Sequence, residues 1–104
     1  MDMIEMFYIT FPSSKVAKDL CDKLLLQKYI ACYNLVPIEA CYWWDGSVAH
    51  EEEIVAIAKS VQAKVTPITN WLEEHHPYDT PCIIHWGVNG NQKYVDWVRA
   101  NVAL

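Results

Sequence analysis

Apolar positions along this chain keep two different rhythms. Residues 3 to 11, MIEMFYITF, alternate loosely and are rich in aromatic and β-branched side chains, which predicts a strand. Pro12-Ser13-Ser14 breaks it and offers a hydroxyl N-cap. Val16, Leu20 and Leu24 then recur with Ala17 and Cys21 beside them and Lys15, Lys18, Asp22 and Lys23 opposite, an amphipathic helix over about residues 14 to 28. Alternation returns in residues 30 to 44, IACYNLVPIEACYWW, where Pro37 belongs at a bulge or an edge. Asp45-Gly46 is a hairpin signal. The return strand covers about 47 to 60, with Ile54 and Ala56 on one face and Val55 and Ile57 on the other. Thr66-Pro67 reads as an N-cap followed by a proline at the first helical position, with Ile68, Trp71, Leu72 and His75 on one stripe before Pro77 ends the helix. Residues 82 to 88, CIIHWGV, form a strand and Asn89-Gly90 a turn. A last helix carries Tyr94, Trp97, Val98 and Asn101 on one face.

The order β-α-β-β-α-β with a terminal helix predicts an α+β fold. It is a ferredoxin-like sandwich of one domain over residues 1–104, with an extended β-hairpin and a C-terminal helix. Helices on one face of the sheet leave the other face bare. About fifteen residues at ~3.3 Å each make a strand of roughly 50 Å, whereas a domain of this size is only about 34 Å across. The hairpin must bend at Pro37 or overhang its own domain. An overhanging arm bearing Trp43 and Trp44 is an aggregation hazard unless another chain covers it, so the expected partner is a second copy of this chain.

Composition sharpens the picture at three points. Five Trp and six Tyr are many for 104 residues, which places some rings at an interface or in a cleft. The net charge of −5, with eight basic residues and no basic run, argues against a nucleic-acid partner. The N-terminal residues lack the basic start of a signal peptide and no apolar run approaches a membrane span, so no membrane partner is expected and the expected location is cytoplasmic. Cys21, Cys32, Cys41 and Cys82 form no C-x-x-C pair and read as reduced thiols packed as small hydrophobes.

The stretches ACYNLVP, CYWWDG and HHPYDTP, in that order, resemble the CutA divalent-cation-tolerance family, whose motifs read roughly A-C-x-N-x-x-P, Y-x-W-x-G and H-P-Y-x-x-P. Tyr94 and Trp97 fit its Y-x-x-W near the C-terminus. The resemblance covers the whole chain. It implies a trimer of ferredoxin-like subunits with hairpins paired across subunits, a likeness in shape to PII-type signalling proteins, a role in tolerance to divalent metals (copper above all) and no catalysis. No cofactor is required by it beyond Cu2+ or another divalent cation as ligand. Two departures stand out. Ile9 occupies the place of a first-strand cysteine proposed as a copper ligand in some members, and Cys82 replaces the glutamate that follows H-P-Y-x-x-P.

The candidate metal ligands are His76, Glu53 and Cys32. Carboxylate and imidazole bind many divalent ions, and a thiolate suits a soft one. His76 either caps the helix C-terminus, where an imidazolium suits the dipole, or turns into a cleft; adjacent His75 points about 100° away on a helix. In HEEE, residues 50 to 53, His50 and Glu52 share one strand face and Glu51 and Glu53 the other, either a solvated edge or a metal site. Lys59 lies an even number of residues from Glu53 and is expected to pair with it. Together these residues outline either an intersubunit ligand cleft of mixed charge formed by Lys59, Tyr78, His75, Glu53 and His76, with Tyr42 and Trp44 supplied by a neighbouring hairpin, or a structural polar network at the seam between subunits. The alternatives are a PII-like binder of small metabolites, a Cys/His thiol enzyme using Cys32 or Cys82, and an RNA-recognition-type module. The last is disfavoured by charge and by the missing K/R-G-F-x-F pattern.

Overall fold

The computed structural model describes residues 3–103. Strand β1 (Met3–Phe11) turns Phe7, Ile9 and Phe11 to one face, where all three are fully buried. Helix α1 (Ser14–Leu26) lays Ala17, Leu20, Cys21 and Leu24 onto them, and the Ser13 hydroxyl caps it by accepting the Val16 amide. The helix stops short of residue 28 because Lys28 takes a left-handed conformation (φ 59°). The Lys28 and Tyr29 amides then return to the Leu25 and Leu24 carbonyls, which satisfies acceptors the helix end would otherwise strand.

Strands β2 (Cys32–Trp44) and β3 (Ser47–Ser60) pair without a break from Cys32↔Lys59 to Trp44↔Ser47. Asp45 (φ 51°) and Gly46 (φ 80°) close the hairpin in the left-handed region that a two-residue turn of matching twist requires. Pro37 sits opposite Ile54 with no bulge. The sheet order β2-β3-β1-β4 makes β2 an edge, so of the two places open to that proline the edge is the one realised. β1 reaches β3 only as far as Phe11↔Ile54, so residues 38 to 53 continue as a two-stranded arm. The molecule measures 45 × 23 × 21 Å, and the hairpin overhangs.

Helix α2 (Val65–His75) follows a single 3-10 turn, Gln62–Lys64. That turn runs straight into the helix, so the N-cap is Lys64 with no side-chain bond, and Thr66 does not cap. Pro67 lies in the first turn, where a missing amide hydrogen leaves no bond unmade. Ile68 and Leu72 are buried, Trp71 is half-buried and His75 exposed. Strand β4 (Ile83–Asn89) is the other edge, antiparallel to β1.

Helix α3 (Gln92–Ala100) corrects the expectation of a bare second face. Its buried stripe, continued past the helix end, is Val95, Val98 and Val102: of the expected Tyr94, Trp97, Val98 and Asn101 only Val98 belongs to it, and the other three lie one position before it. The stripe packs with Ile4 and Val88, partners in the sheet whose side chains point away from Phe7 and Ile9. One end of the second face is therefore covered. The rest carries Val36, Ile84, Trp86 and, on the arm, Trp44, each between 40% and 54% exposed. On the other side of the arm Trp43 is 76% exposed. Among the described residues no helix is long and apolar enough to cross a membrane.

Candidate functional site

Period-two alternation in the arm places Tyr42, Trp44, Glu51 and Glu53 on one face, since Ala40 faces Glu51 and Ile38 faces Glu53. The wall opposite is the α2–β4 connection. His76 anchors it. This residue ends α2 with extended backbone (ψ 139°), its ring stacks on Phe11 at 5.0 Å, and its Nε2 lies 2.8 Å from the Thr10 carbonyl. Nδ1 accepts the Tyr78 amide at 3.1 Å, so Nε2 must carry the proton and donate. Burial pulls the His76 pKa below its ordinary value, against the opposing pull of the Thr10 carbonyl and the Glu53 charge. A neutral ring with both nitrogens committed has no lone pair left for a metal.

With the connection fixed in this way, the Tyr78 hydroxyl donates to Glu53 Oε2 at 2.5 Å. Burial, the bond to Glu53 and the charges of Glu53 and Glu51 all push the Tyr78 phenol up. Tyr42 is raised similarly, by desolvation first and then by its bond to Glu51. The Glu53 carboxylate is thus oriented by a phenol and keeps further acceptor capacity, and Glu51 stands beside Tyr42. Between the arm and the connection lies a cleft of about 510 Å³, lined by Tyr42, Trp43, Trp44, Glu51 and Glu53 on one side and Pro77, Tyr78, Asp79 and Thr80 on the other.

Several expected site residues lie elsewhere. Lys59 donates to Asn34 Oδ1 and faces Cys32 in the ladder, six positions from Glu53. Six residues of strand span about 20 Å, so sharing a face does not bring the two together, and Glu53 pairs with Tyr78 instead. Cys32 keeps company with the Tyr94 hydroxyl, 3.3 Å from its sulfur, so His76, Glu53 and Cys32 do not converge. His75 stacks on Trp71 at 4.2 Å and its Nδ1 bonds the Trp71 carbonyl, leaving it outside the cleft. The cleft that the chain forms by itself is acidic rather than mixed in sign, and the rings lining it are Tyr42, Trp43 and Trp44 of its own hairpin and Tyr78 of the connection. Among the described residues no three His, Cys, Asp or Glu side chains are grouped to hold a metal ion.

The thiols divide unevenly. Cys21 alone is fully buried, and its pKa is pushed up to about 12, chiefly by burial. Cys82 is raised by burial and by Glu53, with Thr10 opposing. Cys32 meets the Tyr94 hydroxyl rather than an imidazole, and the Cys82 thiol is raised where a nucleophile needs it lowered. Cys41 and His50 do meet, at 3.9 Å, on the exposed arm. Glu51 was legible as a cleft residue from its even spacing to Glu53, whereas Asp79 and Thr80 carry no signal until His76 fixes the connection.

Residues 5–101 match the family model described as CutA1 divalent ion tolerance protein. The chain belongs to the CutA family. It is 36% identical over 96 residues to the divalent-cation tolerance protein CutA of Thermotoga maritima, covering 91% of this chain and 95% of that protein. The CutA of Archaeoglobus fulgidus is 32% identical over 101 residues, 96% of this chain and 99% of that one. Among solved structures, a variant of CutA1 from Pyrococcus horikoshii superposes with a TM-score of 0.94 at 34% identity, over 96% of this chain and 99% of that one. The A. fulgidus CutA structure, described as periplasmic, gives 0.93 at 31% identity with the same coverage of both chains. The ferredoxin-like α+β fold and the family's divalent-cation tolerance thus rest on sequence and architecture together.

Proposed function

We propose that this CutA-family chain works without catalysis, as a self-associated trimer that takes up a positively charged ligand, a divalent metal ion such as copper or a small molecule, at its arm-root cleft. The observation that carries the reading is the sign of the cleft. Glu51, Glu53 and Asp79 line it and no Lys, Arg or His does, so its field concentrates cations. The assembly part is supported by apolar surface away from the cleft: Val36, Ile84 and Trp86 on the uncovered sheet face and Val48 on the arm are between 40% and 53% exposed. Four unpaired cysteines support a cytoplasmic setting. The volume of the cleft also favours the PII-like reading, in which the ligand is a small metabolite.

Sedimentation at micromolar concentration tests the assembly, with a particle about three times the 12.0 kDa chain mass expected. Isothermal titration of CuCl2 and ZnCl2 into the wild type and into Glu51→Gln tests the site. A folded 12.0 kDa particle would end the trimer. Metal heats that ignore Glu51→Gln would move metal binding out of the cleft.

A further inference from the structure

The geometry points to an organic ammonium ion as the occupant of the arm-root cleft: a protonated amine bound through Glu51 and Glu53, its apolar body lying against the Tyr42, Trp44 and Tyr78 rings. This rests on the reading of the cleft as a cation site and goes further by choosing the class of cation.

Size is the first argument. The cleft of about 510 Å³ falls in the range of small-molecule pockets, whereas a bare metal ion would fill a small fraction of it. Ligand geometry is the second. A divalent ion needs several oxygen, nitrogen or sulfur donors closing around one point, and no such group of three exists among the described residues. Nor does His76 add a donor, because both of its ring nitrogens are engaged.

The lining itself supplies the third argument. Carboxylates accept the N–H donors of an ammonium, and Trp and Tyr faces attract a cation through the ring quadrupole while burying its hydrocarbon. Glu53 is only 8% exposed and held at 2.5 Å by the Tyr78 hydroxyl, while Glu51 is exposed beside Tyr42. The two acidic groups therefore stand at two depths on one strand face, the deeper one fixed by Tyr78, with nothing basic in the lining to neutralise them. An anion or a neutral sugar would leave that charge unanswered.

The test is isothermal titration of benzylammonium chloride, and of benzyl alcohol as its uncharged counterpart of similar size, into the full chain and into Glu51→Gln. CuCl2 is titrated in parallel. Glu51 is exposed, so its replacement leaves the core intact, and circular dichroism checks this. The expected result is saturable benzylammonium binding with a Kd of about 1 mM or tighter, benzyl alcohol about tenfold weaker, and a roughly tenfold loss for benzylammonium alone in Glu51→Gln. Trp44→Leu should weaken both probes. Equal affinity for the two probes overturns the inference, because charge would then play no part. Copper heats that depend on Glu51 without any benzylammonium binding overturn it too, yet leave the cation reading of the cleft standing. Silence from every probe removes both.

Discussion

Removing the Tyr78 hydroxyl should destabilise the chain through Glu53 rather than through lost packing. Tyr78→Phe deletes a donor 2.5 Å from a carboxylate that is 8% exposed. A hydrogen bond to a charged group contributes about 1.5–3 kcal/mol, and because the cleft opens to water the lower part of that range, about 1.5–2 kcal/mol, applies here. The assay is urea unfolding at fixed protein concentration, since self-association ties apparent stability to concentration. Tyr78→Phe, Glu53→Leu and the double variant complete a cycle. Once either partner is gone the other substitution should cost less, giving a coupling of about 1 kcal/mol or more. Additivity within about 0.5 kcal/mol would show that the two side chains are neighbours without energetic consequence, and the oriented-carboxylate account would fall.

Acidification should weaken the fold through His76. Its buried ring protonates below the ordinary value of about 6.5 that it regains on unfolding, so the unfolded chain binds the extra proton first and stability falls as pH drops through that region. Urea midpoints between pH 7.5 and 5.5 should decline in the wild type and flatten in His76→Gln; parallel slopes would refute this. Iodoacetamide on the native protein, followed by mass spectrometry, should label exposed Cys41 well before buried Cys21, whose thiol is held at about 12; equal rates would contradict the packing. Gly46→Ala should cost about 1 kcal/mol by urea unfolding, because nothing lies within 4 Å of an added Cβ and the penalty is that of φ +80° alone. An unchanged midpoint would mean the turn relaxes.

Local signals carried the elements and missed what tertiary contacts decide. Asp45-Gly46 fixed the hairpin, and its return strand ends at Ser60 as the pattern predicts. Thr66-Pro67 misled because a cap signal shows where a helix can start, whereas here a preceding 3-10 turn already feeds it. In α3 the large rings Tyr94 and Trp97 drew the predicted stripe, yet they stack on each other at 5.7 Å beside a narrow valine seam that suits contact with the sheet. Half of the cleft was readable: period two joins Tyr42 to Trp44 and Glu51 to Glu53, and the two-residue turn puts both pairs on one face. The other half depends on His76 reaching Thr10, 66 positions away, which no spacing reveals. Lys59 shows the limit of parity arguments, which fix a face and leave the distance open.

Pro37 has a bearing on how far this molecule can polymerise. β2 is an outer strand of 13 residues, a length that invites sideways addition of further chains without end. Pro37 keeps its place opposite Ile54 in this edge strand, where a residue without an amide hydrogen belongs with its nitrogen turned outward. A newcomer docking there meets two short runs of donors separated by a gap, a template that discourages a fibre.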